Sequence, residues 1–221
     1  YMYYAVKDGG LGLDRRQANI IMSLYGSLIY MSGIIGGWIA DRITGTQKAV
    51  FYGGIMIMAG HIALSLPMGA IGLYVSMVFI IVGTGLLKPS VSAVVGELYA
   101  ANDARRDSGF SIFYMGINMG AFLAPLLVGS VQKGMGFHAG FAVAAVGMFL
   151  GLIVFWMSRK NLGLAGAVPT NPMNAIEKKK SARNFTIGGL VIIALGAIAY
   201  SKGYANIENF SLLITTLGIL I

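Results

Sequence analysis

Lys88 is the residue of this sequence whose chemistry fits its surroundings least. It lies inside the apolar run FIIVGTGLLKPSVSAVVGELY (79–99), and no acidic residue lies within eight positions on either side. A lysine at the centre of a membrane helix costs about 2.5–3.5 kcal/mol on insertion scales, so its ammonium group needs a wet cavity or a partner carboxylate. Pro89 follows directly, removes one backbone hydrogen bond and leaves a carbonyl oxygen free nearby. The pattern predicts an ammonium group that meets something negative in a cavity.

Polar residues follow one helical line in each of three apolar segments. The lines are Thr84, Lys88, Ser92 and Gly96 in 70–99, Ser111, Tyr114 and Asn118 in 108–132, and Ser23, Ser27 and Tyr30 in 17–39. Ser and Thr in membrane helices often bond their own backbone carbonyls, so most of the hydroxyls are interpreted as structural. Those positions are Ser23, Ser27, Thr84 and Ser92.

The remaining polar residues are candidates for binding, and they are Tyr30, Lys88, Tyr114 and Asn118. For the two tyrosines, a packing role with a satisfied hydroxyl fits equally well. Asn118 and Lys88 are harder to explain by packing. Three polar lines on otherwise apolar helices predict a bundle around a water-filled path.

The sequence offers no constellation for catalysis or for a metal. His61 and His138 stand alone, without a second ligand at metal spacing, and cysteine is absent. No nucleophile is accompanied by a base, and no glycine-rich loop is placed to hold a phosphate. We therefore expect no catalytic residues, no metal and no organic cofactor.

Composition places the apolar segments in a membrane. Of 221 residues, 57% are hydrophobic, only 11% are charged and 32 are glycine. A soluble domain averages about 25% charged residues, so too little charge is present here to cover a water-facing surface. High glycine content is typical of packed membrane helices, and the pairs Gly33–Gly37 and Gly116–Gly120 predict close packing. The net charge of +8 lies mostly between the apolar segments, which argues against nucleic acid as a partner.

Five segments are long enough to span a bilayer, which takes about 20 mostly apolar residues. They are 17–39, 49–67, 70–99, 108–132 and 137–157. Residues 1–6 are interpreted as the end of an earlier helix, and the two further apolar segments are 185–202 and 208–221. Because the sequence opens without Met and stops inside an apolar run, both ends are expected to continue in a longer protein.

Lysine and arginine counts in the connections predict the orientation, because cytoplasmic loops carry the excess. Connections 40–48, 100–107 and 159–184 hold ten such residues, whereas 7–16, 68–69 and 133–136 hold four. The first set is therefore expected in the cytoplasm. With the stub counted, the pattern gives six helices with both ends cytoplasmic, including the amino terminus of the full-length protein.

Several motifs resemble those of one family of membrane transporters. GGWIADRITG (36–45) resembles the loop between helices two and three of the major facilitator superfamily, G-x-x-x-D-R-x-x-G. FSIFYMGINMGAF (110–122) resembles the signature of the proton-dependent oligopeptide transporter family. GTGLLKPSVSAVVGELY, followed by RRDSGF, is similar to the fourth-helix region of the same family. The likeness runs through residues 1–158 at matching helix spacing.

The resemblance implies an all-α membrane protein with the major facilitator fold, in which two six-helix bundles rock around a central cavity. The chain would supply the amino-terminal bundle with a truncated first helix (1–158), a cytoplasmic linker (159–184) and an incomplete extra hairpin (185–221). The implied function is proton-coupled symport of di- and tripeptides across the bacterial cytoplasmic membrane, by a multi-pass secondary active transporter rather than an enzyme. Protons would be the coupling ion, and the expected partners are the peptide, the lipid bilayer and the carboxy-terminal bundle of the same protein.

Residue roles are implied position by position. Lys88 matches a lysine that faces the cavity and takes part in proton coupling and in recognition of the substrate carboxylate. Tyr114 and Asn118 match residues that contact the peptide, and Tyr30 matches a tyrosine of the cavity. A second set matches the gate motif, whose contacts with the other bundle bias outward-facing against inward-facing states: Gly37, Asp41, Arg42 and Gly45. The family's first-helix carboxylates and substrate-binding arginine would lie before residue 1, and Ser90 stands where Asn is usual.

Two other hypotheses remain open from the sequence. The same scaffold could carry another small solute, such as nitrate or a drug. The first-helix motif and the second-bundle carboxylates, which this sequence does not contain, would distinguish such a cargo from a peptide. The chain could also be a non-transporting membrane fragment, because on its own it lacks half of the cavity.

Overall fold

The described part of the chain is entirely helical apart from its connections. A computed structural model describes residues 1–100 and 102–201, with side chains through 188 and at 190 and 194. Its helices are α1 (Arg15–Ile39), α2 (Thr46–Ser65), α3 (Gly69–Glu97), α4 (Arg106–Met135), α5 (Phe137–Leu162) and α6 (Ala175–Ser201). No strand occurs in these ranges, and the predicted all-α class is confirmed. The segment predicted at 208–221 lies outside the described residues.

Five of the described helices are long and apolar enough to cross a membrane, namely α1 with the turn after it and α2 to α5. Each coincides with one of the five predicted spans. The largest differences are at the ends of the first and fifth spans, which continue to Thr44 instead of 39 and to Leu162 instead of 157. Arg159 and Lys160 lie in the last turn of α5, where cations interact favourably with the helix dipole.

Residues 1–6, interpreted as the end of an earlier helix, are not part of an α-helix in the described chain, and a helix before them stays a prediction. These residues form turns, and the first helical segment is a 3-10 helix at Val6–Asp8 that ends at Gly9 with φ of 78°. The carbonyls of these first residues accept bonds from the loop that follows, such as Tyr4 O from Gly12 N at 2.8 Å.

Helix α3 lies at the centre of the bundle, packed against α1 and α2 through small residues. A Cβ added to Gly53 of α2 would lie 2.7 Å from the carbonyl oxygen of Gly83, and one added to Gly83 would lie 2.7 Å from that of Gly53. On the α1 side, Ser32 Oγ donates to the carbonyl of Ile81 at 2.9 Å. Glycine is required at such crossings because the backbones themselves are in contact.

The two glycine pairs predicted to pack are not the ones at these crossings. Among the described residues, a Cβ at Gly33, Gly116 or Gly120 would meet no heavy atom within 4 Å, and Gly37 faces Pro89 at an ordinary 3.7 Å. The tight contact of α1 is made by Gly36, one position earlier, because that residue lies on the side of the helix that faces α3. The G-x-x-x-G spacing therefore identified α1 as a helix with a close crossing, but it identified the wrong face of that helix.

Helix α6 begins inside the stretch predicted as a linker. Asn174 Oδ1 accepts from Glu177 N at 2.8 Å while Asn174 N donates to Glu177 Oε2 at 3.0 Å. This reciprocal capping box starts the helix at Ala175, and the helix continues without a break past residue 185. The non-helical part between α5 and α6 is therefore 163–174, and we call it the strap.

Candidate functional site

Lys88 and Tyr30 meet between α3 and α1. The ammonium nitrogen of Lys88 lies 4.6 Å from the ring centroid of Tyr30, within cation–π range. Both side chains are exposed, and Tyr30 retains 73% of its accessible surface. Among the described residues no carboxylate lies within salt-bridge distance of Lys88. The ammonium is thus held by a ring and remains open to an anion.

Pro89 shapes the helix beside that ammonium group. It lies inside α3 and lacks an N–H, so the carbonyl of Gly85 loses its intrahelical partner. Gly85 is buried, and a Cβ added to Gly36 of α1 would overlap its carbonyl oxygen. The freed oxygen therefore lies in the α1–α3 interface.

Tyr114 and Asn118 form a second pair on α4. Asn118 Nδ2 donates to the carbonyl of Tyr114 at 2.9 Å, which leaves the amide oxygen of Asn118 unused. Tyr114 is 55% exposed, and its ring contacts those of Phe110 and Phe113. No hydrogen bond, ion pair or ring contact of the described residues joins this pair to Lys88. The four candidate binding residues therefore form two exposed pairs on separate helices.

Hydroxyl groups of the polar lines bond their own helices in two of the three segments. Ser27 Oγ donates to the carbonyl of Ser23 at 3.0 Å, and Ser111 Oγ donates to that of Asp107 at 2.9 Å. Such bonds occupy the hydroxyls, as the structural interpretation of Ser27 requires.

The residues of the gate motif surround a π-helical turn at Ala40–Thr44, between α1 and α2. Asp41 is exposed, whereas Arg42 forms a 3.3 Å salt bridge with Glu177 at the start of α6. The carbonyl oxygens of the same two residues accept from the strap, from Asn171 N at 3.0 Å and from Met173 N at 3.2 Å. The turn is thus held on one side by backbone bonds to the strap.

Gly45 ends the turn with φ of 82°, a conformation that side chains rarely adopt. It is buried, and a Cβ there would lie 2.9 Å from the carbonyl oxygen of Gly166 in the strap. Both the backbone conformation and the contact explain glycine at the last position of the motif.

The strap is fastened by two side chains that sequence reasoning missed, Gln47 and Glu97. Gln47 is only 3% exposed, and its Nε2 donates to the carbonyl of Ala165 at 2.6 Å. Gly166 N donates to Glu97 Oε2 at 2.6 Å, and its carbonyl accepts from Gln47 N at 2.9 Å. Gly166 has φ of 67°, and a Cβ there would overlap Thr46 Oγ1.

The signal for the strap was weak in the sequence. Gln47 and Ala165 are 118 positions apart, so local patterns could not pair them. The run GLAGAV (163–168) could have indicated a backbone lying close to another surface, because two of its glycines have positive φ.

Helices long enough to span a bilayer, packed through glycines and carrying exposed polar pairs, define a multi-pass membrane protein. The family model described as "POT family" matches residues 47–182, and the chain belongs to that family. Similar proteins are named as transporters.

Similar proteins agree with this assignment. The chain is 57% identical over 222 residues to a protein of Bacillus subtilis (strain 168) named "Uncharacterized transporter YclF", covering 100% of this chain and 44% of that protein. It is 44% identical over 230 residues to the "Di-/tripeptide transporter" of Lactococcus lactis subsp. cremoris, covering 100% and 46%. A crystal structure of peptide transporter POT in complex with sulfate superposes with a TM-score of 0.93 at 59% identity, covering 100% and 45%. The chain thus spans less than half the length of the relatives it matches.

Proposed function

We propose that the full-length protein containing this chain carries di- and tripeptides together with protons across the cytoplasmic membrane by alternating access. The observation that carries the proposal is the Lys88 ammonium group, held 4.6 Å from the Tyr30 ring centroid with no carboxylate partner among the described residues. The name of the Lactococcus relative supports the substrate class.

Electrostatics supports the choice of a zwitterionic peptide as cargo. Two unit charges 4 Å apart attract by about 1 kcal/mol in bulk water and by about 4 kcal/mol at an effective dielectric constant of 20. The carboxylate end of a peptide next to Lys88 would gain most of this difference in a cavity closed by the second bundle. The amide oxygen of Asn118 and the hydroxyl of Tyr114 would take polar groups of the peptide backbone.

Coupling requires that a proton and a peptide each change which bundle arrangement is favoured. Lys88 can provide this coupling by exchanging its ionic partner. It would bind the peptide carboxylate in one state and an acidic side chain of the second bundle in the other. The gate motif, including Asp41 and Arg42, would bias the two states through contacts with that bundle. The ten lysine and arginine residues of the connections support an orientation with the strap in the cytoplasm.

Lys88→Ala in the full-length protein tests the proposal. In proteoliposomes under an inward proton gradient, we expect uptake of labelled dialanine to fall to background, while Lys133→Ala, an exposed lysine in the last turn of α4, keeps it. Counterflow of peptide without a gradient separates loss of coupling from loss of binding. Undiminished gradient-driven uptake by Lys88→Ala would contradict the proposal, and uptake of nitrate in place of dipeptide would move it to another cargo.

A further inference from the structure

A polar cleft lies between α2 and α5, two helices that carry none of the four candidate binding residues. It has a volume of about 260 Å³ and is lined by the first two turns of α2 and the last two turns of α5. Its polar groups are Gln47, Lys48 and Arg159, and its walls include Phe51, Tyr52 and Trp156. None of the described residues that line it is acidic.

The two cations of this cleft differ in how they are held. Lys48 is exposed. The guanidinium of Arg159 is fixed on two sides, because Nε donates to Gln47 Oε1 at 3.2 Å and its carbon lies 5.7 Å from the ring centroid of Trp156. Gln47 is itself anchored to the strap, so the arginine is supported by a buried side chain.

This arrangement leaves the terminal nitrogens of Arg159 for a ligand. They have no hydrogen-bond partner among the described residues, and guanidinium groups fit phosphate oxygens in a two-point geometry. A phosphate group here would meet one preoriented guanidinium and one flexible ammonium, with no carboxylate opposing it.

The aromatic walls indicate a lipid rather than a free ion. Tyr52 and Trp156 are 55% and 57% exposed, and both lie near the ends of helices that can span the membrane. Tyr and Trp are enriched where membrane helices cross from headgroups to hydrocarbon, and basic pockets between such helices bind anionic headgroups. Rings at this level would contact the glycerol and upper acyl chain, which inorganic phosphate lacks.

We propose that the cleft of Lys48 and Arg159 binds the phosphate headgroup of an anionic phospholipid of the adjacent leaflet. The site lies on α2 and α5, separate from Lys88, and it requires only that the helices cross a bilayer. It would link lipid binding to the strap, because Gln47 bonds both Arg159 and Ala165.

Native mass spectrometry of the full-length protein tests the site with three additives: phosphatidylglycerol, phosphatidylcholine and inorganic phosphate. We expect one retained phosphatidylglycerol in excess of phosphatidylcholine, with affinity about 5-fold weaker for each cation removed by Lys48→Gln or Arg159→Gln. The matched control is Lys178→Gln with Lys179→Gln, which removes two exposed charges from α6 and should keep the lipid.

Three outcomes would overturn the site: equal retention of the two lipids, equal loss in the control, or displacement of the lipid by inorganic phosphate at millimolar concentration. Arg159→Lys keeps the charge but not the two-point geometry, and we expect it to retain more lipid than Arg159→Gln. If Arg159→Gln fails to fold, Lys48→Gln still decides, because that side chain is exposed and outside the strap contacts.

Discussion

The ammonium nitrogen of Lys88 on α3 lies 4.6 Å from the ring centroid of Tyr30 on α1. Close contacts a few residues away hold the two helices together. Ser32 Oγ donates to the carbonyl of Ile81 at 2.9 Å, and Gly36 packs against Gly85. The relative position of lysine and tyrosine is therefore set by backbone packing. A ring held in this way restricts the ammonium without neutralising it.

Tyr30→Leu should weaken peptide binding by about 2- to 5-fold, because an exposed cation–π contact is worth about 0.5–1 kcal/mol. Without the ring, Lys88 would lose part of its orientation before the peptide arrives. Tyr30→Phe keeps the aromatic face and should bind within 2-fold of the parent protein unless the hydroxyl itself contacts peptide. The measurement is the dissociation constant of a dipeptide for the full-length protein, and tighter binding by Tyr30→Leu would show that the ring competes with the peptide.

Asn118→Ala should weaken peptide binding by about 2- to 10-fold, the range expected for one lost hydrogen bond. The side chain is exposed, and its oxygen is not used within α4. The matched control is Ser111→Ala, about two turns earlier on the same polar line, whose hydroxyl is already bonded to the Asp107 carbonyl. An unchanged affinity for Asn118→Ala would reduce that residue to a helix-packing role.

Gln47→Leu should lower the free energy of unfolding of the full-length protein by about 1–3 kcal/mol, because it removes a buried amide and leaves the half-buried carbonyl of Ala165 without its donor. Backbone amides around Ala165 should also exchange hydrogen faster, since this part of the strap would be fastened to α2 and α3 only by the bonds of Gly166 to the Gln47 backbone and to Glu97. Gln17→Leu removes an exposed glutamine from α1 and serves as the control. Equal melting temperatures and equal exchange for the two variants would mean that the strap is not fastened by Gln47.

The sequence predicted what depends on local periodicity. The five spans follow from apolar runs of helical length, and Lys88 stood out because charge is costly in hydrocarbon. Tyr30 and Lys88 were each predicted as binding residues, but their contact was not predicted, because it depends on how α1 and α3 pack. Which glycine of α1 touches α3 could not be predicted, since Gly33, Gly36 and Gly37 differ by rotation about the helix axis, and that rotation is fixed by packing.

The contacts around Gln47 and the strap were beyond sequence reasoning for a different reason. The bond of Arg159 to Gln47 joins residues 112 positions apart, and neither residue has an unusual neighbourhood in the sequence. The start of α6 could have been predicted, because Asn174 and Glu177 have the spacing of a capping box. The cluster of lysines after Glu177 obscured this signal, because such a run of charge is typical of a polar linker.

Asp103→Asn should leave the pH dependence of peptide uptake unchanged between about pH 5 and 8. In the connection between α3 and α4, the side-chain hydrogen bond from Arg105, reinforced by a bond from its backbone N–H, lowers the pKa of Asp103 from 3.8 to about 2. Because the pKa of this carboxyl is lower in the folded state than in the unfolded state, its ionised form stabilises the folded state at pH values above the unfolded-state pKa. That stabilisation is lost as the pH falls through about 2. Asp103 therefore stays ionised throughout the working range and cannot exchange the coupled proton. The measurement is the midpoint of the pH–uptake profile in proteoliposomes; a shifted midpoint in Asp103→Asn would place a step of proton coupling at this connection instead of at Lys88.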